Sequence, residues 1–178
     1  IILFVLNISE PIGTQDKMLA SLVAESGKGV IIVANKWDLL ERHEEIGAKM
    51  NDYIHDYLPH LSWAPIVFIS AKSGRNVQKI LSLAEAVQKE RERTIPAEEL
   101  ELFLRSALKH SRPIGGTGMT TPPKIYGMAQ IGISPPEFEI VVKTKHVIHP
   151  NYLKYMERRM REKYGMQGTP LIIKSRSR

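Results

Sequence analysis

Short apolar runs alternate with helical stripes through the first half of the chain. Residues 1–6 are continuously apolar, which predicts a strand buried on both faces. Residues 7–14 hold Pro11 and Gly13 and read as a loop. Residues 15–26 place Met18, Leu19, Leu22 and Val23 at helical spacing, and Gly27 is a natural stop. Residues 30–34 form a second buried run. Residues 46–58 are amphipathic through Ile46, Met50, Tyr53, Ile54 and Tyr57, with Pro59 after them. Residues 65–69 form a third strand. Residues 77–87 form a third helix through Val77, Ile80, Leu81, Leu83, Ala84 and Val87. The order βαβαβα predicts a parallel sheet with right-handed crossovers.

The second half changes rhythm after a hinge at residues 90–97, where Lys89-Glu90-Arg91-Glu92-Arg93 ends the last helix of the first half. Pro96 suits a helix first turn, and Glu98 and Glu99 stand at its positive end. Leu100, Phe103, Leu104, Ala107 and Leu108 give that helix its apolar face. Residues 111–123 read as a loop. Residues 124–131 and 137–143 predict an antiparallel hairpin turning at Pro135-Pro136. Pro150 opens a helix to Tyr164, with Leu153, Met156 and Met160 inward and Gly165 as its stop, and residues 170–174 form a last strand. The order αββαβ predicts an α+β domain. The division falls at 1–93 and 94–178.

Charge sharpens this division. Residues 1–96 carry 11 Lys+Arg and 12 Asp+Glu, a net of −1, whereas residues 97–178 carry 14 and 7, a net of +7. A basic small domain points to an anionic partner, most often nucleic acid. The 178 residues contain no cysteine, which excludes a disulfide framework, a thiolate zinc site and a cysteine nucleophile, and fits a reducing, cytoplasmic setting. No apolar run reaches the roughly 18–20 residues of a membrane helix. The start IILFVL lacks the basic flank of a signal peptide and reads as a strand continuing from something upstream.

Ligands bind beyond the carboxyl ends of parallel strands, and both candidate motifs fall there. The second strand ends in Asn35-Lys36-Trp37-Asp38, the pattern Asn-Lys-x-Asp. A carboxylate at Asp38 accepts the N1–H and N2–H₂ donors of guanine, a pair that adenine does not offer. Asn35 braces the loop and meets the ring edge, and the Lys36 stem lies along base and ribose. The third strand ends in Ser70-Ala71-Lys72. There Ser70 holds the loop, Ala71 gives a backbone N–H to the base carbonyl, and Lys72 covers the base from the other side. The bland alternative is that Asn35 and Asp38 only cap a turn; two motifs one βα unit apart favour the guanine reading over it.

These loops look like the guanine-specificity elements of translation-factor-related GTPases. Residues 1–40 resemble the second G domain of the Der (EngA) family of tandem-G-domain bacterial GTPases. The likeness lies in the apolar strand, Asn7 in a loop leading to Gln15-Asp16, the helix end at residues 25–29, and residues 33–39. The resemblance implies GTP/GDP as ligand, Mg²⁺ in the intact protein, and GTP hydrolysis to GDP. The phosphate half of such a site is missing. No Gly-x-x-x-x-Gly-Lys-Ser/Thr cradle or Asp-x-x-Gly occurs. Gly115-Gly116-Thr117-Gly118 lacks the Lys-Ser/Thr and reads as a connector, and Lys28 between Gly27 and Gly29 leads into a strand. The chain therefore reads as a C-terminal portion with catalytic residues: none and metal ligands: none. Alone it is expected to hold GTP weakly, not to hydrolyse it, and to be sticky at the sheet edge that lacks neighbours.

The second half, with Pro135-Pro136-x-Phe138 between strands and Gly168-x-Pro170 before the last one, resembles the KH-like domain of Der proteins. KH domains grip RNA with a Gly-x-x-Gly loop between helices. Here Gly165-Met166-Gln167-Gly168 has the letters but leads into a strand, which is not the setting that grip requires. Lys154, Arg158 and Arg161 share a helix face, Arg159 and Lys163 extend it, and Arg176 and Arg178 form a basic tail. Such a stripe suits RNA phosphates without reading sequence; a solvated helix face is the bland alternative. The six histidines show no metal-site spacing; His146 and His149 stand three apart without a partner carboxylate.

The resemblance implies ribosome biogenesis at the large subunit, with rRNA and the upstream G domain as partners and no membrane. The alternative is a non-enzymatic RNA- or ribosome-binding KH-like module whose βα half is a scaffold. A different GTPase class with a similar base-reading loop is the third reading, and the KH-like half argues against it.

Overall fold

The computed structural model describes residues 1–40, 43–113, 122–143 and 148–178, with backbone alone for 43–45. The Gly115–Gly118 connector and His146 lie outside the described residues. The chain forms two compact units, Ile1–Arg91 with Gln167–Pro170, and Glu92–Met166 with Leu171–Arg178.

The first unit is built on strands β1 (Ile2–Asn7), β2 (Val30–Asn35) and β3 (Ile66–Phe68), all parallel and in the order β1-β2-β3. Helices α1 (Thr14–Glu25), α2 (His43–Tyr57) and α3 (Lys79–Arg91) accompany them. Gly27, at φ 67°, turns the chain out of α1 in the left-handed region that glycine enters at little cost. The βα alternation read from the apolar runs is the fold observed.

Burial separates the strands. Val30, Ile31, Ile32, Val33 and Ala34 of β2 are all buried, as a central strand with both faces covered must be. One face packs Val30, Ile32 and Ala34 with Phe4, Leu6, Ala20, Ile54 and Leu58. The opposite face packs Ile31 and Val33 with Val67, Ile69 and Val87 of α3. No residue of β1 enters this second cluster. Leu3 and Val5 are 46% and 59% exposed. The expectation that residues 1–6 are buried on both faces is thus corrected: in this structure β1 is an edge strand with one covered face, and the cluster around Val87 of α3 takes in residues of β2 and β3 but none of β1. Asn7, expected in a loop, is the last residue of β1.

Residues Gln167–Pro170 complete this unit. The Gly168 carbonyl accepts from the N–H of Val30 (2.8 Å), and its own N–H donates to the Trp63 carbonyl (2.9 Å).

The second unit has helices α4 (Ala97–His110) and α5 (Pro150–Tyr164) and strands β4 (Ile125–Gly132), β5 (Glu137–Val142) and β6 (Ile172–Ser177). β4 and β5 are antiparallel, β5 and β6 parallel, in the order β4-β5-β6. This is the αββαβ order expected on one sheet. Its core joins Leu100, Phe103 and Leu104 of α4, Phe138, Ile140 and Val142 of β5, and Tyr152, Met156 and Met160 of α5. Three-to-four spacing on the helices and alternation on β5 bring these groups together.

Candidate functional site

β2 and β3 are parallel neighbours, so their carboxyl ends lie side by side. Ile69 N–H donates to the Ala34 carbonyl (2.9 Å), and Trp37 N–H donates to the Ile69 carbonyl (3.0 Å). These bonds carry the pairing past the regular strands and draw the two following loops together. Trp37 is buried, with its ring centroid 4.4 Å from that of Phe68. The variable position of Asn-Lys-x-Asp is therefore an anchor, with the polar residues on either side left at the surface. Lys36 holds a left-handed conformation, φ 68°, which turns the chain sharply between the end of β2 and the short turn Trp37–Leu39. Lys36 and Asp38 are exposed, and Asn35 is half-buried.

The side chain of Asn35 joins the loops: its Oδ1 accepts the backbone N–H of Ala71 at 3.0 Å. This bond brings the two motif-bearing loops together. The N–H assigned to a base carbonyl is here donated to Asn35, so a guanine carbonyl has to share or replace that acceptor. Ser70 is completely buried, and its Oγ accepts from Ser73 N–H (3.2 Å) while its N–H donates to the Arg75 carbonyl (3.1 Å). Asn76, at φ 60°, donates through Nδ2 to the Phe68 carbonyl (3.0 Å). The loop carrying Ala71 and Lys72, both exposed, is thus braced at each end. Trp37, Ser73 and Asn76 were missed in the sequence; an Asn near a glycine turn was the available signal, since Asn tolerates the left-handed region.

These groups suit the base of a guanine nucleotide, with a surface carboxylate, a strand-end amide and an N–H on a braced loop. Among the described residues no three His, Asp or Glu side chains converge.

The basic candidates on α5 separate into three settings. Lys154 and Arg158 share a shallow cleft of about 350 Å³ with Asn151 and Tyr155. Arg159 and Lys163 line a second one of about 280 Å³ with Phe103, Ser106, Ala107 and Glu162. Glu162 lies 2.9 Å from Arg159 and 3.8 Å from Arg158, so one carboxylate faces two guanidinium groups. The Arg159 Nε is buried without a partner. Lys163 Nζ stands 5.0 Å from the ring centroid of Tyr164. Arg161 is set apart. Its side chain is 18% exposed, Nη2 donates to Glu157 (2.9 Å), and Nη1 donates to the Met166 carbonyl (3.0 Å). Burial lowers its pKa, and Glu157 opposes that shift. The chain folds back after Gly165 and encloses Arg161, which the helical wheel alone places beside Lys154. His149 is the N-cap of α5, its Nδ1 accepting from Asn151 N–H (3.1 Å).

Among the described residues no helix is long and apolar enough to cross a membrane.

Residues 94–176 match the KH-domain-like C-terminal domain of EngA bacterial GTPase enzymes. The chain is 36% identical over 178 residues to GTPase Der of Thermomicrobium roseum, covering 99% of this chain and 38% of that protein. GTPase Der of a Geobacillus species is 34% identical, covering 100% and 40%, and that of Natranaerobius thermophilus 33%, covering 99% and 40%. The chain thus spans about two fifths of the length of these curated relatives. A crystal structure of Era with MgGDPNP and nucleotides 1506–1542 of 16S ribosomal RNA is similar with a TM-score of 0.42 and 20% identity, covering 99% of this chain and 65% of that one.

Proposed function

Since this chain belongs to the Der (EngA) family of GTPases and corresponds to the C-terminal part of its members, we propose that it supplies the base-reading half of a GTP/GDP site and an RNA-binding domain to a protein acting in ribosome assembly. In this reading residues 1–93 are the C-terminal part of a second G domain and residues 94–178 the KH-like domain. Asp38 accepts the guanine N1–H and N2–H₂ edge, Asn35 and Ala71 meet the opposite edge, Ser70 fixes the loop, and Lys36 and Lys72 flank the ring. Lys154, Arg158, Arg159 and Lys163 face RNA phosphates, with the large ribosomal subunit and an upstream G domain as partners in the cytoplasm. Phosphates and Mg²⁺, when bound, supply most of the affinity of such sites, and these 178 residues contain no Gly-x-x-x-x-Gly-Lys-Ser/Thr motif to cradle them. It is therefore proposed not to hydrolyse GTP by itself.

The observation that carries the guanine reading is the Asn35–Ala71 hydrogen bond, which joins two loops beside the exposed Asp38. A nucleoside titration followed by amide NMR tests it. Millimolar guanosine is expected to shift the Ala71 amide and the Asn35 side-chain amide, and adenosine to leave them in place. Equal responses to both nucleosides, or no response to either, would refute it.

A further inference from the structure

The sheet of the second unit has two unlike faces. Met128, Phe138, Ile140 and Val142 belong to the core that includes α4 and α5. The other face carries charge, with Lys174 Nζ 3.3 Å from Glu137 and Arg176 Nε 2.8 Å from Glu139. At one corner of this sheet the register breaks. Ile125 pairs with Val142 and Gly127 with Val141, which leaves Tyr126 as the extra residue of a bulge on the edge strand β4. A bulge takes a side chain out of the regular alternation and re-aims it. Tyr126 is 47% exposed and outside the core cluster.

Three basic residues meet at that corner. Lys143 N–H donates to the Lys124 carbonyl (2.9 Å), and Arg178 N–H donates to the Val142 carbonyl (3.0 Å). The backbone thereby brings Lys124, Lys143 and Arg178 beside one another. Lys124 Nζ stands 5.5 Å and Arg178 Cζ 5.6 Å from the centroid of the Tyr126 ring. Attraction between a cation and the ring face holds such an arrangement together. An exposed ring among cations on a sheet edge has no part in the packing of the core.

We propose that Tyr126, Lys124, Lys143 and Arg178 form a stacking platform for single-stranded RNA, one base lying on the tyrosine ring and the neighbouring phosphates on the three cations. The proposal rests on the RNA-binding reading above and adds a second RNA-facing region, distinct from α5. Stacking on an aromatic ring beside a basic track is how sequence-tolerant single-strand binders work. A duplex does not fit, because its bases are already stacked on one another and offer no free face. Lysine on a flexible stem moves from ring to phosphate without a change of backbone.

The test uses the full 178-residue chain and a fluorescein-labelled oligouridylate of about 12 nucleotides, with affinity read by anisotropy. Tyr126→Ala is expected to weaken binding about 5- to 50-fold, and Tyr126→Phe to stay within about twofold, because the ring and not the hydroxyl stacks. Circular dichroism is expected to match across the set. Replacing one uridine with 5-iodouridine is expected to give a photo-crosslink on the peptide containing Tyr126. Unaltered affinity in Tyr126→Ala together with a loss in Lys154→Ala plus Arg158→Ala would overturn the platform and keep the RNA reading. No binding by the wild-type chain would sink the RNA reading itself. A glutamate peptide of equal charge that competes as well as the RNA would replace the platform with a general anion patch. If Tyr126→Ala fails to fold, absence of the crosslink in the wild-type chain decides against the proposal.

Discussion

At Asp38 a change from carboxylate to amide turns one hydrogen-bond acceptor into a donor, and the purine edge that fits changes with it. Guanine offers two donors there, whereas xanthine presents a carbonyl in place of the amino group. Asp38→Asn is therefore expected to weaken guanosine about 10- to 100-fold, the loss that goes with hydrogen bonds to a charged group, and to favour xanthosine. Competition between the two nucleosides in the NMR titration measures it; unchanged preference for guanosine would place Asp38 outside the base site. Tyr152 offers a separate residue-level test. It is buried, its hydroxyl donates to the Ser111 carbonyl (3.1 Å), and burial, with the nearby Tyr155, pushes its pKa up to about 12. A folded-state pKa above the unfolded value of about 10 favours the protonated form in the folded chain. Its contribution to stability is complete below about pH 10 and is lost as pH rises towards 12. Urea unfolding at pH 9 and pH 11.5 is expected to show a steeper loss for the wild type than for Tyr152→Phe, by about 2 kcal/mol. Asn35 and Asp38 were legible in the sequence because their chemistry is contained in four consecutive residues. Trp37 and Asn76 were not, since one is fixed by the ring of Phe68 and the other by its carbonyl, and both depend on how the next strand pairs.

Whole elements were easier to read than their surroundings. Apolar runs and three-to-four spacing gave the strands and helices in order, because backbone hydrogen bonding and burial impose those periods whatever the neighbours. The run at residues 1–6 shows the limit. A continuous apolar stretch tells that both faces suit burial, but not whether a helix covers each one, and the face with Leu3 and Val5 is exposed. Gly168 shows another limit. The sequence placed it before the last strand, and the structure gives it a φ of +74° with a Cβ position only 2.3 Å from Val87 Cγ2. Val87 is buried and branched at Cβ, so it has little freedom to retreat. Left-handed strain of about 1–2 kcal/mol then adds to overpacking of about 1–3 kcal/mol. Gly168→Ala is expected to destabilise the chain by about 2–5 kcal/mol in denaturant titration. Gly27→Ala, at φ +67° with nothing within 4 Å of the added carbon, is expected to cost only the strain, about 1–2 kcal/mol. Equal losses at the two positions would show that crowding against Val87 carries no weight.

Across the whole chain charge and chemistry divide in the same place, with the two loops proposed to read guanine in the near-neutral part and the surplus of positive charge in the rest. That surplus does not all serve one purpose. Arg161 commits its donors to Glu157 and the Met166 carbonyl, whereas the side chain of Arg158 is 72% exposed and Lys154 shares its cleft. The sequence periodicity could not separate them, because a helical wheel carries no record of where the chain returns after the helix. Salt separates them. Each phosphate that a variant no longer neutralises lowers the steepness of log K against log salt by about 0.7 on single strands and about 0.9 on duplex. Lys154→Ala with Arg158→Ala is expected to weaken binding to large ribosomal subunit particles and to flatten that slope by about 1.4 to 1.8. Arg161→Ala is expected to leave the slope alone and instead lower stability by about 1–3 kcal/mol, the cost of stranding hydrogen-bond partners. A salt titration of the wild type and the two variants, with thermal unfolding alongside, reads both effects. If Arg161→Ala flattens the slope as the double variant does, Arg161 leaves its internal partners for phosphate on binding. If no variant changes the slope, the surface of α5 is a solvated helix face and RNA binds elsewhere.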